Sequence, residues 1–365
     1  MSIYDKKWGS FKVSDLFKLE TDNDISDSQN LPEGNYPLIA ARKIKNGVDK
    51  FIDTEKINNK HAITWNKQGD GGAGLSFYQP VRFANKSTVF VLRPKKKLSK
   101  QQMIFIVSLL NKYHGIFDHG YGLTKSRFEE LTIQLPILDD ETPDWDLIQK
   151  YMFDLEQEKI NKCIEYFNQK RNELSYKKLT PLEKKSWEQF YIGDLFTISS
   201  GKRLTQANMK SGATPFIGAT ALNNGITNYV NNTNNSMDKN VLGVNYNGSV
   251  VENFYHPYTC LFSDDVKRFH LKDYPDNRHV LLFFKTIILK QKVKYMYGYK
   301  FNAKRMKQQI ILVPVDDEGD PDYEYMEQYM KNLEIKHLNK YINHINNQNF
   351  SEYISEKMSL MKQNS

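Results

Sequence analysis

Hydrophobic positions along this chain follow two different rhythms, and the change between them happens once in each half. In the first rhythm, short apolar runs alternate with dense turn signals. Examples of the turns are Pro32-Glu33-Gly34-Asn35, Asn46-Gly47 and Gly69-Asp70-Gly71-Gly72-Ala73-Gly74. Between them lie β-rich runs such as Ser87-Thr88-Val89-Phe90-Val91-Leu92. Met103 to Leu110 and its counterpart Val280 to Ile287 are mostly apolar runs that read as a buried helix in each half, although period alone leaves a strand open. Thr132–Pro136 and Ile310–Pro314 read as the strand that closes each domain.

The second rhythm is helical. From Asp144 to Lys178 there is neither proline nor glycine, and good helix formers dominate. Ile148, Met152, Leu155, Ile160, Cys163 and Phe167 recur at steps of three to five. Shifted by 178 positions they become Met326, Met330, Leu333, Leu338, Tyr341 and Ile345, all apolar or aromatic. Neither tail could bury such a stripe alone, so the two helices are expected to pack on each other, through Ile148, Met152, Leu155, Ile160 and Phe167 on one and Met326, Met330, Leu333, Leu338 and Ile345 on the other. Fully helical, Asp144 to Lys178 would be about 50 Å long, at roughly 1.5 Å per residue. Seven acidic and seven basic residues balance over this stretch. That neutrality suits a spacer or a protein-docking surface better than a phosphate tracker. Pro181 ends it.

The two halves are copies. Trp8, Phe11, Asp15, Leu16 and Phe17 recur as Trp187, Phe190, Asp194, Leu195 and Phe196, each 179 positions on. Phe77-Tyr78-Gln79-Pro80 answers Phe254-Tyr255-His256-Pro257, and Leu135-Pro136 answers Val313-Pro314. A unit of globular domain plus helical tail has been used twice: 1–142 and 181–320 are the domains, 143–180 and 321–365 the tails. A period this long excludes a short solenoid repeat. Two related but unequal domains suit two related but unequal targets.

Composition narrows the choice. At 365 residues with 39% hydrophobic and 13% aromatic content, each half can bury its own core. A net charge of +8 favours a polyanionic partner. Cys163 and Cys260 fall at unrelated repeat positions, which argues for reduced thiols and against a repeated disulfide or zinc framework. The N-terminus has no apolar signal region. The longest apolar stretch, Val280 to Leu289, is interrupted by Lys285 and too short to span a bilayer. A soluble, cytoplasmic protein without membrane contact is expected.

Phe190-Tyr-Ile-Gly-Asp-Leu-Phe196-Thr-Ile-Ser-Ser-Gly201-Lys-Arg-Leu-Thr, then Thr214-Pro-Phe-Ile-Gly-Ala-Thr220 and Asn223-Asn-Gly-Ile-Thr-Asn-Tyr229, resembles a target-recognition domain of the specificity subunits of type I restriction–modification systems and of BcgI-like type IIB enzymes. Phe11-Lys-Val-Ser-Asp-Leu-Phe17 through Asn46-Gly47 is a weaker copy, and the resemblance spans essentially the whole chain. It implies an α+β fold: two α/β recognition domains, each followed by a long helix, the helices antiparallel about a pseudo-twofold axis. It also implies that each domain reads one half of a split, asymmetric site in double-stranded DNA. The helices would set the gap and dock methyltransferase (modification) subunits, two of them, joined by a restriction subunit or by a nuclease fused to the methyltransferase. The chain itself would carry no catalysis and no cofactor; S-adenosylmethionine, Mg2+ and ATP would sit on partner subunits.

Candidate DNA contacts come from polar positions in turns where the halves diverge, since Arg, Lys, Asn and Gln make directed contacts to base edges or phosphates. They are Arg42, Lys43, Lys45, Asn46, Lys67 and Gln68 in the first half, and Lys202, Arg203, Asn223, Asn224, Asn245 and Asn247 in the second. A second group follows a glycine turn before each closing strand: Lys125 and Arg127 in Gly120–Arg127, and Lys300, Asn302, Lys304 and Arg305 in Tyr297–Arg305. No phosphate-binding loop, metal-spaced His/Cys cluster or amino-methyltransferase motif occurs, and the Gly69–Gly74 run lacks the helix and acidic residue of a dinucleotide site. Two rivals stand beside this reading. One is a self-contained nuclease using Asp322, Glu334 and Lys336, whose carboxylates would have to converge on a metal. The other is a scaffold repeat that binds no DNA.

Overall fold

The computed structural model describes residues 3–20, 23–26, 30–69, 72–117, 120–295 and 298–363, with side chains for all of these but Tyr4 and 348–363. Asp70, Gly71 and Tyr297, named in the turns above, lie outside the described residues. The chain divides into two compact units, Met1–Lys162 and Cys163–Ser365. That division falls inside the first long helix, Trp145–Asn172, and not at its start. Trp145, Leu147, Ile148, Tyr151 and Met152 pack against the core of the first unit, so the opening turns of the helix belong to that domain.

In the first unit an antiparallel sheet takes the strands in the order Phe17–Glu20, Val89–Pro94, Ala62–Asn66, Ser76–Gln79. A mixed sheet takes the order Asp24–Ile25, Ala84–Lys86, Tyr36–Ile39, Val48–Ile52. The expected strand at Ser87–Leu92 therefore starts two residues later. The closing strand Thr132–Pro136 pairs with Trp8–Lys12. Met103–Leu110 is helical, within Lys100–Leu110. Its start is fixed by Ser99, whose hydroxyl accepts from the Gln102 amide while the Gln102 side chain accepts from the Ser99 amide. One face of it buries Met103, Ile106 and Leu110 against Trp65, Phe17 and Leu92.

The second unit repeats this plan. Phe196–Ser200, Val266–Leu271, Val241–Asn245 and Asn253–His256 form its antiparallel sheet. Its second sheet differs at the edge, where Met237–Asp238 runs antiparallel to Cys260–Phe262 and the first unit has a parallel pair. Asn277 caps the core helix Arg278–Leu289, and Ile310–Pro314 pairs with Trp187–Tyr191. The fold is thus α+β, with two similar sheet-and-helix domains and long helices. Both cysteines are free.

The long helices depart from expectation in two ways. The first stops at Asn172, not Lys178, and spans about 42 Å at roughly 1.5 Å per residue. The residues beyond it exchange helical hydrogen bonds for side-chain partners on the second long helix, Tyr323–Gln363. Gln328 donates to the Ser175 carbonyl (2.7 Å), Asn332 to that of Lys177 (2.6 Å) and Tyr325 to that of Thr180 (2.8 Å). Phe167 stacks on Tyr341 at 6.2 Å, and Arg171 donates to Asn339. Second, the first members of each stripe face their own domain. Ile148 is buried in the core of the first unit with Met152 packed on it; Met326 and Met330 do the same in the second. Leu155, Ile160, Leu333, Leu338 and Ile345 are half-buried.

One core position differs instructively between the copies. Gln79 donates to the Thr64 hydroxyl (2.9 Å). In the second unit His256 stands there, and the partner position is Gly243, where a Cβ would lie 3.1 Å from the ring Nε2. Nε2 has no hydrogen-bond partner, and burial pushes the His256 pKa down to about 4. A folded-state value below the ordinary 6.5 stabilises the fold above pH 6.5, and that stability is lost as pH falls toward 4. Between pH 7 and pH 5 this amounts to roughly 2 kcal/mol. Urea unfolding at the two pH values should show His256→Gln losing less stability than the parent on acidification by about that margin; parallel losses would show that His256 is not the acid-sensitive group.

Candidate nucleic-acid interface

At one end of the antiparallel sheet in the first unit, three loops meet. The tie is Asn66, the last residue of its strand, which is fully buried. Its Nδ2 donates to the carbonyls of Arg42 (3.1 Å) and Gly72 (2.9 Å), one on each neighbouring loop. The third loop joins through the Leu123 amide, which donates to the Lys67 carbonyl at 2.8 Å. The second unit builds the equivalent junction with Asn245, which donates to Thr220 (3.1 Å) and Ser249 (3.2 Å). Gly248 packs so closely on this junction that a Cβ would lie 2.3 Å from the Ala219 carbonyl oxygen, and its φ of +56° is one that L side chains rarely adopt. Asn245, a candidate DNA contact from sequence, is therefore 1% exposed and holds loops together.

The first loop of each junction carries an unusual turn. Lys45, Asn46 and Gly47 have φ of 55°, 54° and 79°, and Asn223, Asn224 and Gly225 have 51°, 53° and 78°. Three consecutive left-handed residues are costly for non-glycine side chains. Asparagine tolerates this conformation best, and here its side chain also anchors it. Asn46 donates to the Tyr78 carbonyl (3.0 Å) and Asn224 to that of Tyr255 (3.4 Å). The turn thrusts Ile44 and Leu222 into solvent, 67% and 70% exposed. Lys45 and Asn223 stand exposed beside them.

The other candidates divide by what their side chains already hold. Lys43, Gln68, Lys125 and Lys304 are exposed at these loops, and Lys202 is exposed on the separate segment that follows Phe196–Ser200. Arg42 pairs with Asp49, which also binds Lys86 at 2.8 Å. Burial opposes ionisation of Asp49, but the two cations outweigh it and hold the carboxyl below its usual range. Arg203 lies 3.9 Å from Asp264 and is largely exposed. Asn247 donates to Asp265 (3.0 Å), while its Oδ1 is buried without a partner. Asn302 caps the short helix Ala303–Gln308 by accepting from the Arg305 amide. The Lys300 carbonyl accepts from Arg305 (2.7 Å), and that of Gly122 accepts from Arg127.

Two features were missed in the sequence. Lys67 lies over the Phe90 ring at 4.8 Å, and in the second unit Lys267 lies over the Tyr246 ring at 4.6 Å. By strand register Lys67 corresponds to Tyr246 and Phe90 to Lys267, so cation and ring have changed places. Burial pulls the Lys267 ammonium below its ordinary range, against the pull of Asp264 and Asp265. Second, Tyr121 and Tyr299 each carry an arginine on one ring face, Arg127 at 3.6 Å and Arg305 at 3.7 Å. The recurrence of Tyr and Arg at one offset of 178 is the signal that could have found the second pair.

The nuclease residues do not converge. Asp322 caps the second long helix through the Tyr325 amide (2.9 Å) and pairs with Lys185 at 2.7 Å. Glu334 lies twelve residues on, about 18 Å along the helix. Burial raises its pKa, but bonds from Arg278 (2.6 Å) and His279 (2.9 Å) outweigh this and hold the carboxyl below its usual range. Lys336 is exposed. Among the described residues no group of three or more His, Cys, Asp or Glu side chains could hold a metal ion, and no helix is long and apolar enough to cross a membrane.

The turn asparagines and the loop lysines should separate cleanly in mutation. Asn46→Ala and Asn224→Ala lose the side-chain anchor of a left-handed turn, and each should lower unfolding stability by about 1–2 kcal/mol. Lys43→Ala should change it by less than about 0.5 kcal/mol. Urea titration of the three variants checks this; an Asn46→Ala protein as stable as the parent would remove the anchoring role.

Comparison with known proteins agrees with this architecture. Residues 5–166 and 184–347 each match the family described as type I restriction modification DNA specificity domain. Over 335 residues the chain is 43% identical to the specificity subunit of the type II restriction enzyme BcgI from Heyndrickxia coagulans, covering 90% of this chain and 95% of that one. Among solved structures, the S subunit of a type I restriction–modification system from M. genitalium superposes with a TM-score of 0.50 at 17% identity, covering 97% of this chain and 95% of that one. The chain belongs to the restriction–modification DNA specificity family and carries that family's domain twice.

Proposed function

We propose that this protein is the DNA specificity subunit of a restriction–modification complex, each of its two domains reading one half of a split, asymmetric site. The observation that carries the reading is the match of both halves, separately, to one DNA specificity domain. Its physical support is the pair of loop junctions. Both are built on the same buried asparagine, yet the exposed residues on them differ: Lys43 and Lys45 on one, Ala221 and Asn223 at the same positions of the other. A common frame with different polar faces is what reading two different half-sites requires. Asn245, whose side chain is spent on the frame, is left out of the proposed contact surface; Asn46 and Asn224 enter it only as holders of the turn.

The chain does no chemistry of its own. Methyl transfer, with S-adenosylmethionine, and cleavage, with Mg2+, belong to partner subunits in this reading. Two methyltransferase subunits would dock on the long helices. Cleavage would come from a restriction subunit or from a nuclease fused to the methyltransferase. Phe167 and Arg171 meet Tyr341 and Asn339, while residues 175–180 meet 325–332, so the contacts move to lower numbers on the second long helix as the first segment proceeds, which supports antiparallel helices and a pseudo-twofold arrangement of the repeat. In this reading the helices act as a ruler between half-sites, and the protein works in the cytoplasm, where host DNA is methylated.

Single-molecule sequencing of host DNA with and without the gene tests the function. One split, asymmetric methylated motif should vanish on deletion; an unchanged methylome with methyltransferase subunits expressed sinks the reading. Exchanging residues 12–135 for another recognition domain should rewrite one half-site and spare the other. Removing about one helical turn from both long helices should shorten the gap, and a constant gap would dismiss the ruler.

A further inference from the structure

Resting on that reading, we infer that the paired tyrosine–arginine stacks, Tyr121 with Arg127 and Tyr299 with Arg305, are phosphate anchors that grip the DNA backbone identically in both half-sites.

Each stack joins two rings and a guanidinium. In the first unit the buried Phe117 ring lies against Tyr121, with centroids 6.0 Å apart and planes 9° from parallel, and the Arg127 guanidinium lies over the Tyr121 ring at 3.6 Å. In the second unit Tyr295, Tyr299 and Arg305 repeat this at 5.7 Å, 8° and 3.7 Å. One guanidinium nitrogen in each donates to a backbone carbonyl, Gly122 or Lys300. Every member, carbonyl included, is displaced by the same 178 residues, while the segments between differ: Lys125 and Ser126 stand where Ala303 and Lys304 do.

Three arguments lead from this geometry to phosphate. First, the arginines are held but not neutralised. Among the described residues neither has a carboxylate partner within ion-pair distance, although Arg42, Arg93, Arg268 and Arg278 all do. A guanidinium has five N–H donors in a rigid fork, so one carbonyl leaves most of that fork to meet an anion. Second, the tyrosines are 47% and 50% exposed, so the stack stands at the surface and contributes little burial. Fixing the arginine in advance removes much of the side-chain entropy that a free arginine would lose on binding. Third, the first stack is built into the reading frame. The Leu123 amide that follows it is bonded to the Lys67 carbonyl, on the loop that carries Gln68. What is common to two different half-sites is the sugar–phosphate backbone; what differs is the bases. Surface groups repeated atom for atom suit the first, and the divergent loops suit the second. The stacks would set register, and the loops would read.

The test uses the full chain and two duplexes of equal length, one carrying the methylated motif and one with both half-sites scrambled. Binding is followed by fluorescence anisotropy between about 50 and 200 mM salt. Arg127→Gln and Arg305→Gln should each weaken binding to both duplexes by the same factor, about tenfold at the lower salt for loss of a charge-assisted bond. Each should reduce the slope of log K against log salt by about one, the double variant by about two, with the methylated motif unaltered in cells. Arg127→Lys keeps the charge without the fork. It should keep the parent salt slope yet bind more weakly, and it serves if the glutamine variant fails to fold by thermal melting. Loss confined to the cognate duplex, or an altered motif, would make the arginine a base reader. Unchanged affinity in both Arg127→Gln and Arg127→Lys would make the stack a loop strut; either result overturns the proposal and leaves the specificity reading intact. A parent chain that does not distinguish the two duplexes overturns the specificity reading itself.

Discussion

Each domain turns on one buried amide. The Asn66 and Asn245 side chains sit at the ends of central strands and donate to carbonyls on two separate loops. A net hydrogen bond is worth only about 1 kcal/mol, but stranding a buried carbonyl costs about 1–3 kcal/mol, so removing the amide would leave two loops seeking new partners. Asparagine suits this position because its Nδ2 offers two donors from a short side chain and it carries no charge to desolvate. Around this tie, the left-handed turns, the glycine packed on Ala219 and the Leu123–Lys67 bond fall into place. The loops are surface structures, yet they are fixed by the sheet beneath them. A reader of sequence needs this, since base contacts discriminate only when the donors are already in position.

The copies differ by paired replacement more than by single change. Thr64 and Gln79 in one become Gly243 and His256 in the other, where the larger ring takes the space of the missing side chain. Lys67 over Phe90 becomes Lys267 over Tyr246 with the roles exchanged. Arg93, which binds Glu20, gives way at the same register to His270, which bonds Asp276 at 2.6 Å and Asp238 at 3.0 Å. Those two carboxylates, Asp276 first, outweigh the cost of burial and hold the His270 pKa up at about 9. In the second and third cases one interaction type persists while its atoms move; in the first the hydrogen bond is lost and only the volume is made up. Close-packed interiors explain this: volume and charge must be satisfied jointly, so a change on one strand is met on its neighbour.

Periodicity and repetition made much of this legible in the sequence. The apolar run at Met103–Leu110 pointed to a helix but left a strand open; Ser99-x-x-Gln102 ahead of it is the capping signal that would have decided between them. The closing strands were readable because alternation and a terminal proline recur at both copies. What stayed hidden depends on long-range partners. Nothing local marks Asn245 as a buried tie and Asn223 as exposed; both are asparagines in polar surroundings, and only the fold distinguishes them. The early end of the first long helix is of the same kind. Lys177 and Lys178 are good helix formers, but the backbone there leaves the helix to accept from Gln328, Asn332 and Tyr325. The apolar stripe misled for a related reason: a helix that leaves a domain must first pack on it, so Ile148 and Met326 serve their own cores.

Duplication gives this architecture a physical logic of its own. A single domain with a helical tail has a half-covered apolar stripe and one polar face. Two copies in one chain supply a second face with different residues. Because stability resides in the sheets, the core helices and the asparagine ties, the exposed positions are released from it. Surface substitutions at such sites change stability by about 0.5 kcal/mol or less. The loops of the two copies can therefore diverge without endangering the frame, and the frame can remain alike without restricting what the loops display. Separation of the groups that hold the fold from the groups that face outward lets one scaffold, used twice, present two different surfaces.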